Sequence, residues 1–238
     1  MKAILLAAGM GTRLRPITDT VPKCLVPVQG KPLLDYWLEM ISVNPQISDI
    51  YVNLHYLREV VLKHLDKHWS QNSKIRRHPE QHLLGTAGTL RALQNDLSGA
   101  QLLVIHADNL SDFCLDDFIR AHQNRPSNCL ITMMLFETDS PSTCGIVELD
   151  GKARVIKMHE KKTNPPGNLA NGAVYIMEPK VLEWIVNHQA KDISAEVIPA
   201  FYGQIYSWLN NGYHRDIGNP EAYEMAQREF TTNGPEPS

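Results

Sequence analysis

Residues 1–34 read MKAILLAAGMGTRLRPITDTVPKCLVPVQGKPLL. Lys2–Leu6 opens an apolar run with no polar break inside it, the pattern of a strand buried on both faces. The run enters a loop that carries Gly9 and Gly11, and Arg13, Arg15 and Lys23 follow before the next apolar segment. Open α/β sheets bind ligands at the carboxyl ends of their strands, so this loop is the first place to look for a site. Gly9 and Gly11 let the backbone come close to a ligand and turn N–H groups toward anionic oxygens. The three cations can supply charge-assisted hydrogen bonds to phosphates. Two common phosphate motifs do not fit. The spacing Gly9-x-Gly11-x-x-Leu14 lacks the third glycine of a dinucleotide fingerprint, and no Gly-Lys-Ser/Thr follows. Glycine and charge alone leave open a plain turn with solvated cations.

Outward from this loop, the first 136 residues alternate strand and helix. Strands are expected at Lys2–Leu6, Ile50–Leu54, Lys74–His78, Gln101–His106 and Cys129–Phe136. Helices are expected at Pro32–Ser42, Leu57–Trp69, Thr86–Leu97, with Thr86 as N-cap, and Leu115–Asn124. That alternation predicts an α/β fold with a mostly parallel central sheet and helices on both faces. The pattern then changes. Asp150-Gly151 sits between Gly145–Leu149 and Arg154–His159 as a hairpin turn. A strand at Ala173–Met177, a helix at Pro179–His188 and a helix starting at Ser194 follow. After them come strands at Ile205–Trp208 and Tyr213–Ile217, and a helix from Pro220 with proline at its first position. Residues 231–238, TTNGPEPS, form a polar tail expected to be disordered. No linker divides the 238 residues, so 1–230 is expected to be a single domain.

The bulk numbers exclude several classes. Net charge is −3, and no basic stripe with interleaved aromatics appears, which argues against nucleic acid and anionic membrane as partners. The apolar runs are too short to span a bilayer, and no signal-peptide pattern follows Met1, so a cytoplasmic protein is expected. Cys24, Cys114, Cys129 and Cys144 are widely spaced, which suits reduced thiols rather than a disulfide or zinc framework.

The string GMGTRLRP, followed by PKCLVPVQGKPLL, resembles the signature of the sugar-1-phosphate nucleotidyltransferases, the nucleotide-sugar pyrophosphorylases. The resemblance continues in family order through LGTAGTL, VIHADN, CGIVEL, HEKK, NGAVYI and DIGNPEAY. It implies a three-layer Rossmann-like fold. It also implies a reaction in which a sugar 1-phosphate attacks the α-phosphorus of a nucleoside triphosphate and pyrophosphate leaves. On the resemblance, Leu6, Ala8, Gly9, Gly11, Thr12, Gly85 and Thr86 bind the nucleotide. Arg13 stabilises the leaving pyrophosphate and Lys23 lies near the α-phosphate, whereas Arg15 and Lys31 are open between helping and plain solvation. Asp108 and Asp216 match the family's metal ligands, and Mg²⁺ is the implied cofactor, because it takes few protein carboxylates and fills its shell with waters and phosphate oxygens. Gly145, Glu160, Lys161 and Asn171 match the sugar-phosphate site. Three positions depart from the pattern: Ala107 stands where glycine is common, Cys144 where many members have tyrosine, and Lys162 where proline is usual.

The same comparison assigns residues 1–136 mainly to the triphosphate and 137–230 mainly to the sugar phosphate. On the resemblance, the side chain that reads the base lies about five positions before Gly85, at Glu80, which is open between this role and that of an exposed loop carboxylate. An acceptor-only carboxylate suits the adjacent N1–H and N2–H donors of guanine. A register slip would put Gln81 there instead and favour UTP or dTTP. GTP with a mannose- or heptose-type sugar 1-phosphate is the leading expectation. The alternatives are a uridylyl- or thymidylyltransferase, or a non-catalytic subunit that binds a nucleotide sugar. The retained Arg13, Lys23, Asp108 and Asp216 argue against the last. The sugar and the oligomeric state, a homo-oligomer included, stay open.

Overall fold

The computed structural model describes residues 1–230; the expected tail at 231–238 lies outside them. In chain order the strands are β1 (Lys2–Leu6), β2 (Pro27–Val28), β3 (Lys31–Pro32), β4 (Asp49–Leu54), β5 (Ile75–Pro79), β6 (Leu102–His106) and β7 (Asn109–Ser111). They continue as β8 (Ile131–Glu137), β9 (Gly145–Leu149), β10 (Val155–Glu160), β11 (Leu169–Met177), β12 (Ile205–Leu209) and β13 (His214–Asp216). The helices are α1 (Leu33–Ser42), α2 (Arg58–His68), α3 (Thr86–Ala92), α4 (Gln94–Leu97), α5 (Leu115–Gln123), α6 (Pro179–Asn187), α7 (Ile198–Ala200) and α8 (Pro220–Glu229).

The expected mostly parallel sheet is present. β6, β1, β4 and β5 form a parallel block, with Leu5 of β1 opposite Val52 of β4 and Ile105 of β6. Side chains alternate across it. Ala3, Leu5, Val52 and Ile105 pack under α1, α2 and α5, while Ile4, Tyr51 and Val104 pack under α3 and α6. Burial on both faces is why these strands read as unbroken apolar runs rather than as alternation.

β11 then runs antiparallel between β6 and β8, and β8 is parallel to β12. The register of β11 against β8 breaks between Asn171 and Tyr175, where Ala173 takes φ +53°. The first half of β11 meets the β9–β10 hairpin through Ala170 and Ile146. This hairpin therefore lies beyond the carboxyl end of β6, beside the expected ligand face.

Two smaller pieces position the opening loop. β2 and β3 form a short hairpin across Gln29-Gly30. β7 and β13 form a separate antiparallel pair. Leu14 and Val26 from the loop, Leu110 from β7, and Ile217, Ala226 and Phe230 from the last segment make a satellite core. The loop is thus held to the end of the chain by buried apolar contact.

Three local expectations need correction. The helix expected over Thr86–Leu97 is two helices, interrupted at Leu93, and Gly85 rather than Thr86 is its cap. The turn between β9 and β10 spans Asp150–Arg154, because the Asp150 carboxylate accepts from the backbone N–H groups of Lys152 and Arg154 and so organises a wider loop than Asp-Gly alone. The helix expected from Ser194 is a π-turn over Ile193–Val197 that passes into α7, capped by Asp192 accepting from the Ala195 N–H at 2.8 Å. Trp208 packs against Phe113 and Phe118, with ring centroids 5.8 and 5.2 Å away. Among the described residues no helix is long and apolar enough to cross a membrane.

Leu14 is fully buried in the satellite core. Leu14→Ala should destabilise the protein by about 2–5 kcal/mol, the range for truncating a buried leucine. Urea denaturation checks this, with a lower midpoint at unchanged slope as the expected outcome.

Candidate active site

Lys23 begins a short 3₁₀ turn, Lys23–Leu25, whose three side chains are buried. Cys24 and Leu25 join the main core, which fixes where the lysine stem points. Its Nζ donates to Asp108 Oδ2 at 2.7 Å and to Asp216 Oδ1 at 3.0 Å. Asp108 lies between β6 and β7, and Asp216 ends β13. The β7–β13 ladder sets Asp216 opposite Asn109, which brings together two aspartates that are 108 positions apart in the chain. The lysine side chain is 6% exposed, against 34% and 50% for the two carboxylates. Burial works against the Lys23 charge, but Asp108 and Asp216 outweigh it and raise the ammonium pKa. Burial likewise opposes the Asp108 charge, and Lys23 outweighs it, so this carboxyl is held below its ordinary range. Arg13 stands at the outer edge, its Nη2 3.7 Å from Asp216 Oδ2. Arg15 and Lys31 are directed elsewhere, paired with Asp19 and Glu39.

A cavity of about 300 Å³ opens beside this triad at the carboxyl ends of β1, β4 and β6. Leu6, Ala8, Gly9, Gly85 and Thr86 line it with Lys23 and Asp108. Gly11 and Thr12 do not line this cavity; they shape the loop. Gly11 has φ +61°, and a Cβ there would sit 2.9 Å from Thr18 Cγ2, so both backbone and space require glycine. Gly85 has φ +81°, and a Cβ would come within 2.4 Å of the Lys191 carbonyl oxygen. That close approach lets Ala87 and Gly88 donate to Lys191 O at 3.0 and 3.3 Å. Thr86 Oγ1 accepts from the Ile193 N–H at 2.7 Å. The 85–88 segment is thereby pinned to the turn at 191–193.

Glu80 is buried, not an exposed loop carboxylate, whereas Gln81 faces solvent. Glu80 Oε1 accepts from Asn53 Nδ2 at 2.9 Å and from Thr89 Oγ1 at 2.6 Å, and Oε2 accepts from the Leu84 N–H at 3.3 Å. Asn53 Oδ1 in turn accepts from the Ala7 N–H at 2.6 Å. One polar network therefore ties the ends of β1, β4 and β5 to the loop before α3.

Gly145, Glu160, Lys161 and Asn171 form a second group on β9, β10 and β11. Glu160 pairs with Gly145, and its Oε2 lies where a Cβ on that glycine would come within 2.8 Å. Lys161, at φ +46°, donates its N–H to Cys144 O at 3.1 Å and sets Nζ 3.7 Å from Glu160 Oε1. Asn171 Nδ2 donates to the Tyr175 hydroxyl at 2.7 Å. A second cavity, of about 290 Å³, lies between the 137–144 segment and the start of α8, with Arg13, Cys144, Asp216 and Asn219 on its walls.

Sequence reasoning missed Asn53, His106 and Asp192 on the first cavity. Asn53 and His106 are polar residues at the carboxyl ends of apolar strands, and that position was the available signal. Asp192 carried none, because its place depends on the turn that folds it onto Thr86.

Asn53→Ala should leave the Ala7 N–H and part of the Glu80 carboxylate without partners, at about 1–3 kcal/mol for a buried group so orphaned. Asn53→Asp should cost more, because it sets a second carboxylate against Glu80 where an amide now donates. Denaturation midpoints of the two variants near neutral pH check the order.

The family model described as Nucleotidyl transferase matches residues 2–233. A putative mannose-1-phosphate guanyltransferase of Sulfolobus acidocaldarius is 30% identical over 98% of this chain and 64% of its own length. The bifunctional protein GlmU of Methanococcus aeolicus is 30% identical over 92% of this chain and 52% of its own. Mannose-1-phosphate guanylyltransferase 1 of Arabidopsis thaliana is 31% identical over 94% and 63%. The chain thus spans about half to two-thirds of the length of these curated relatives. HddC from Yersinia pseudotuberculosis, solved in complex with GMP-PN, superposes with a TM-score of 0.80 at 25% identity, covering 97% of this chain and 99% of that one. A putative glucose-1-phosphate thymidylyltransferase from Bacillus anthracis superposes with a TM-score of 0.81 at 21% identity, covering 98% of each chain, and shares the fold. With a family model matched from the first strand to beyond the last helix, this chain belongs to the nucleotidyl transferase family.

Proposed function

We propose that the protein transfers a nucleotidyl group from a nucleoside triphosphate, GTP in first place, to a mannose- or heptose-type sugar 1-phosphate. The observation that carries this reading is the Lys23 ammonium held between Asp108 and Asp216 at the mouth of a cavity walled by the glycine loop and the Gly85-Thr86 segment. A phosphate oxygen of the sugar 1-phosphate attacks the α-phosphorus, the bond from that phosphorus to the bridging oxygen breaks, and pyrophosphate carries the electron pair away. Such a transfer needs positioning and charge neutralisation more than covalent help. Lys23 uses two of its three donors on the carboxylates and has a third for an α-phosphate oxygen. Arg13, exposed at the edge, can take the leaving pyrophosphate.

Asp108 and Asp216 fit a hard divalent cation. Their oxygens converge on one positive group at 2.7 and 3.0 Å. Among the described residues no cluster of three or more His, Cys, Asp or Glu could hold a metal alone. Two protein carboxylates, with phosphate oxygens and waters completing the shell, is the arrangement Mg²⁺ favours. When bound, Mg²⁺ would neutralise charge on the phosphates.

Residues 1–136 would serve mainly the triphosphate and 137–230 mainly the sugar phosphate. Glu160 would accept from sugar hydroxyls, Lys161 would meet the phosphate, and Asn171 and Gly145 would border the ring. GTP leads because the relatives with coverage across this chain include mannose-1-phosphate guanyltransferases; the buried Glu80 carboxylate, which already accepts from Asn53, Thr89 and the Leu84 N–H, would read a base only by giving up one of these partners. The cytoplasm, where such substrates are made, is the setting this reading implies.

Pyrophosphate release, with the common triphosphates crossed against a panel of sugar 1-phosphates, tests the reading. One strong pair with GTP is the expected result, lost on chelation and restored by Mg²⁺. A preferred UTP or dTTP would overturn the base assignment alone. Asp108→Ala should reduce turnover by at least about a hundredfold, since charge stabilisation of this kind is worth several kcal/mol, and should also lower the denaturation midpoint, because the buried Lys23 then keeps only Asp216 as partner. Full activity in that variant would remove Asp108 from the mechanism. Glu80→Gln should lower kcat/KM for GTP relative to the other triphosphates, and an unchanged ranking would reject its role in choosing the base.

A further inference from the structure

His106 is the last residue of β6, paired with Leu6 of β1, and its ring lines the first cavity. Its Nε2 is buried and has no hydrogen-bond partner among the described residues. A buried nitrogen without a partner is uncommon in a folded protein and points to a group supplied from outside. The neighbouring polar groups are already engaged. Asp108 and Asp216 accept from Lys23, and Asp192 accepts from the Ala195 N–H and the Thr86 hydroxyl. The Tyr175 ring stands edge-on to His106 at 6.5 Å, and its hydroxyl accepts from Asn171. His106 therefore sits where the triphosphate cavity meets the group on β9, β10 and β11.

We propose that His106 is a substrate-contacting, specificity-determining residue whose imidazole hydrogen-bonds a hydroxyl of the bound substrate. This rests on the nucleotidyltransferase reading above. The ligand chemistry follows from the surroundings. The phosphates are already assigned to Lys23, to Arg13 and to the cation that Asp108 and Asp216 would hold, which leaves a neutral group of the substrate for His106. A hydroxyl both donates and accepts, so it suits a neutral imidazole in either tautomer. Two hydroxyl sources are within the chemistry of the site: the ribose of the triphosphate and the ring of the sugar 1-phosphate. A site built to bond a hydroxyl discriminates strongly against the analogue that lacks it, because its own polar group is then left unpaired.

The test uses the full chain, His106→Phe and His106→Asn. Phenylalanine keeps an aromatic ring against Tyr175 and removes the hydrogen bond, while asparagine keeps a donor and an acceptor. Substrates are the preferred triphosphate, its 2′-deoxy and 3′-deoxy forms, the preferred sugar 1-phosphate and its monodeoxy forms. In the wild type, one deoxy analogue should lose about tenfold or more in kcat/KM. His106→Phe should lose about tenfold on the complete substrate and less than about twofold further on that analogue, with asparagine recovering part of the loss. If the analogue that ceases to matter is a deoxynucleotide, the partner is ribose; if it is a deoxy sugar, the partner is the sugar phosphate. Equal losses of His106→Phe on every analogue, or no loss on any, would overturn the proposal. Should the phenylalanine variant fail to fold, the same comparison with asparagine and His106→Leu decides it. If the wild type releases pyrophosphate with no pair, the reaction assigned above fails. Calorimetric binding of GTP and of mannose 1-phosphate, each against its deoxy forms, then tests His106 by itself, and equal affinity of wild type and variants for all of them overturns it.

Discussion

The ammonium of Lys23 between the carboxylates of Asp108 and Asp216 is the contact on which the rest of the site depends. Two carboxylates at the ends of different strands repel one another unless a cation stands between them. Here the cation comes from the opening loop. Its stem is fixed by the buried Cys24 and Leu25, so the loop, the end of β6 and the end of β13 meet at one point. The satellite core of Leu14, Val26, Leu110 and Ile217 holds the same three segments by apolar contact. Charge places the groups, and burial keeps the backbone that carries them from moving.

Around this point the chain spends polar side chains where a soluble fold would ordinarily put apolar ones. Glu80, Asn53 and Thr89 are buried under the cavity and satisfy one another, together with the Ala7 and Leu84 N–H groups. Each would be costly if unpaired, and paired they join the ends of three strands to the loop before α3. His106 is the exception, a polar group on the cavity wall whose buried nitrogen nothing in the described chain answers. The contrast between a saturated floor and one unanswered nitrogen on the wall is the asymmetry expected where rigid support meets a ligand.

Several features of this arrangement were legible in the sequence. The apolar run before Gly9, the strand–helix alternation to residue 136 and the placement of Asp108 at a strand end all follow from local pattern. Glu80 was legible as a residue type and not as an environment. Its burial comes from Asn53 and Thr89, 27 and 9 positions away, and no local pattern announces such partners. The interruption at Leu93 and the π-turn at Ile193–Val197 escaped for the same reason. The π-turn is capped by Asp192, which itself meets Thr86 across 106 positions.

The sequence by itself determined the strand–loop–helix order, the loop that carries Gly11, Arg13 and Lys23, and the resemblance that named the chemistry. These are properties of short stretches, where side-chain period and backbone freedom act within a few residues. The tertiary structure alone decided that β11 enters antiparallel beside β6, and that β7 pairs with β13 so that Asp216 reaches Asp108. It alone decided that Arg15 and Lys31 turn away to Asp19 and Glu39 while Lys23 turns in. The physical reason is that pairing register and burial are set by contacts between segments far apart in the chain. One residue type, a lysine, becomes a solvated surface charge or the centre of a site according to what the fold packs against its stem.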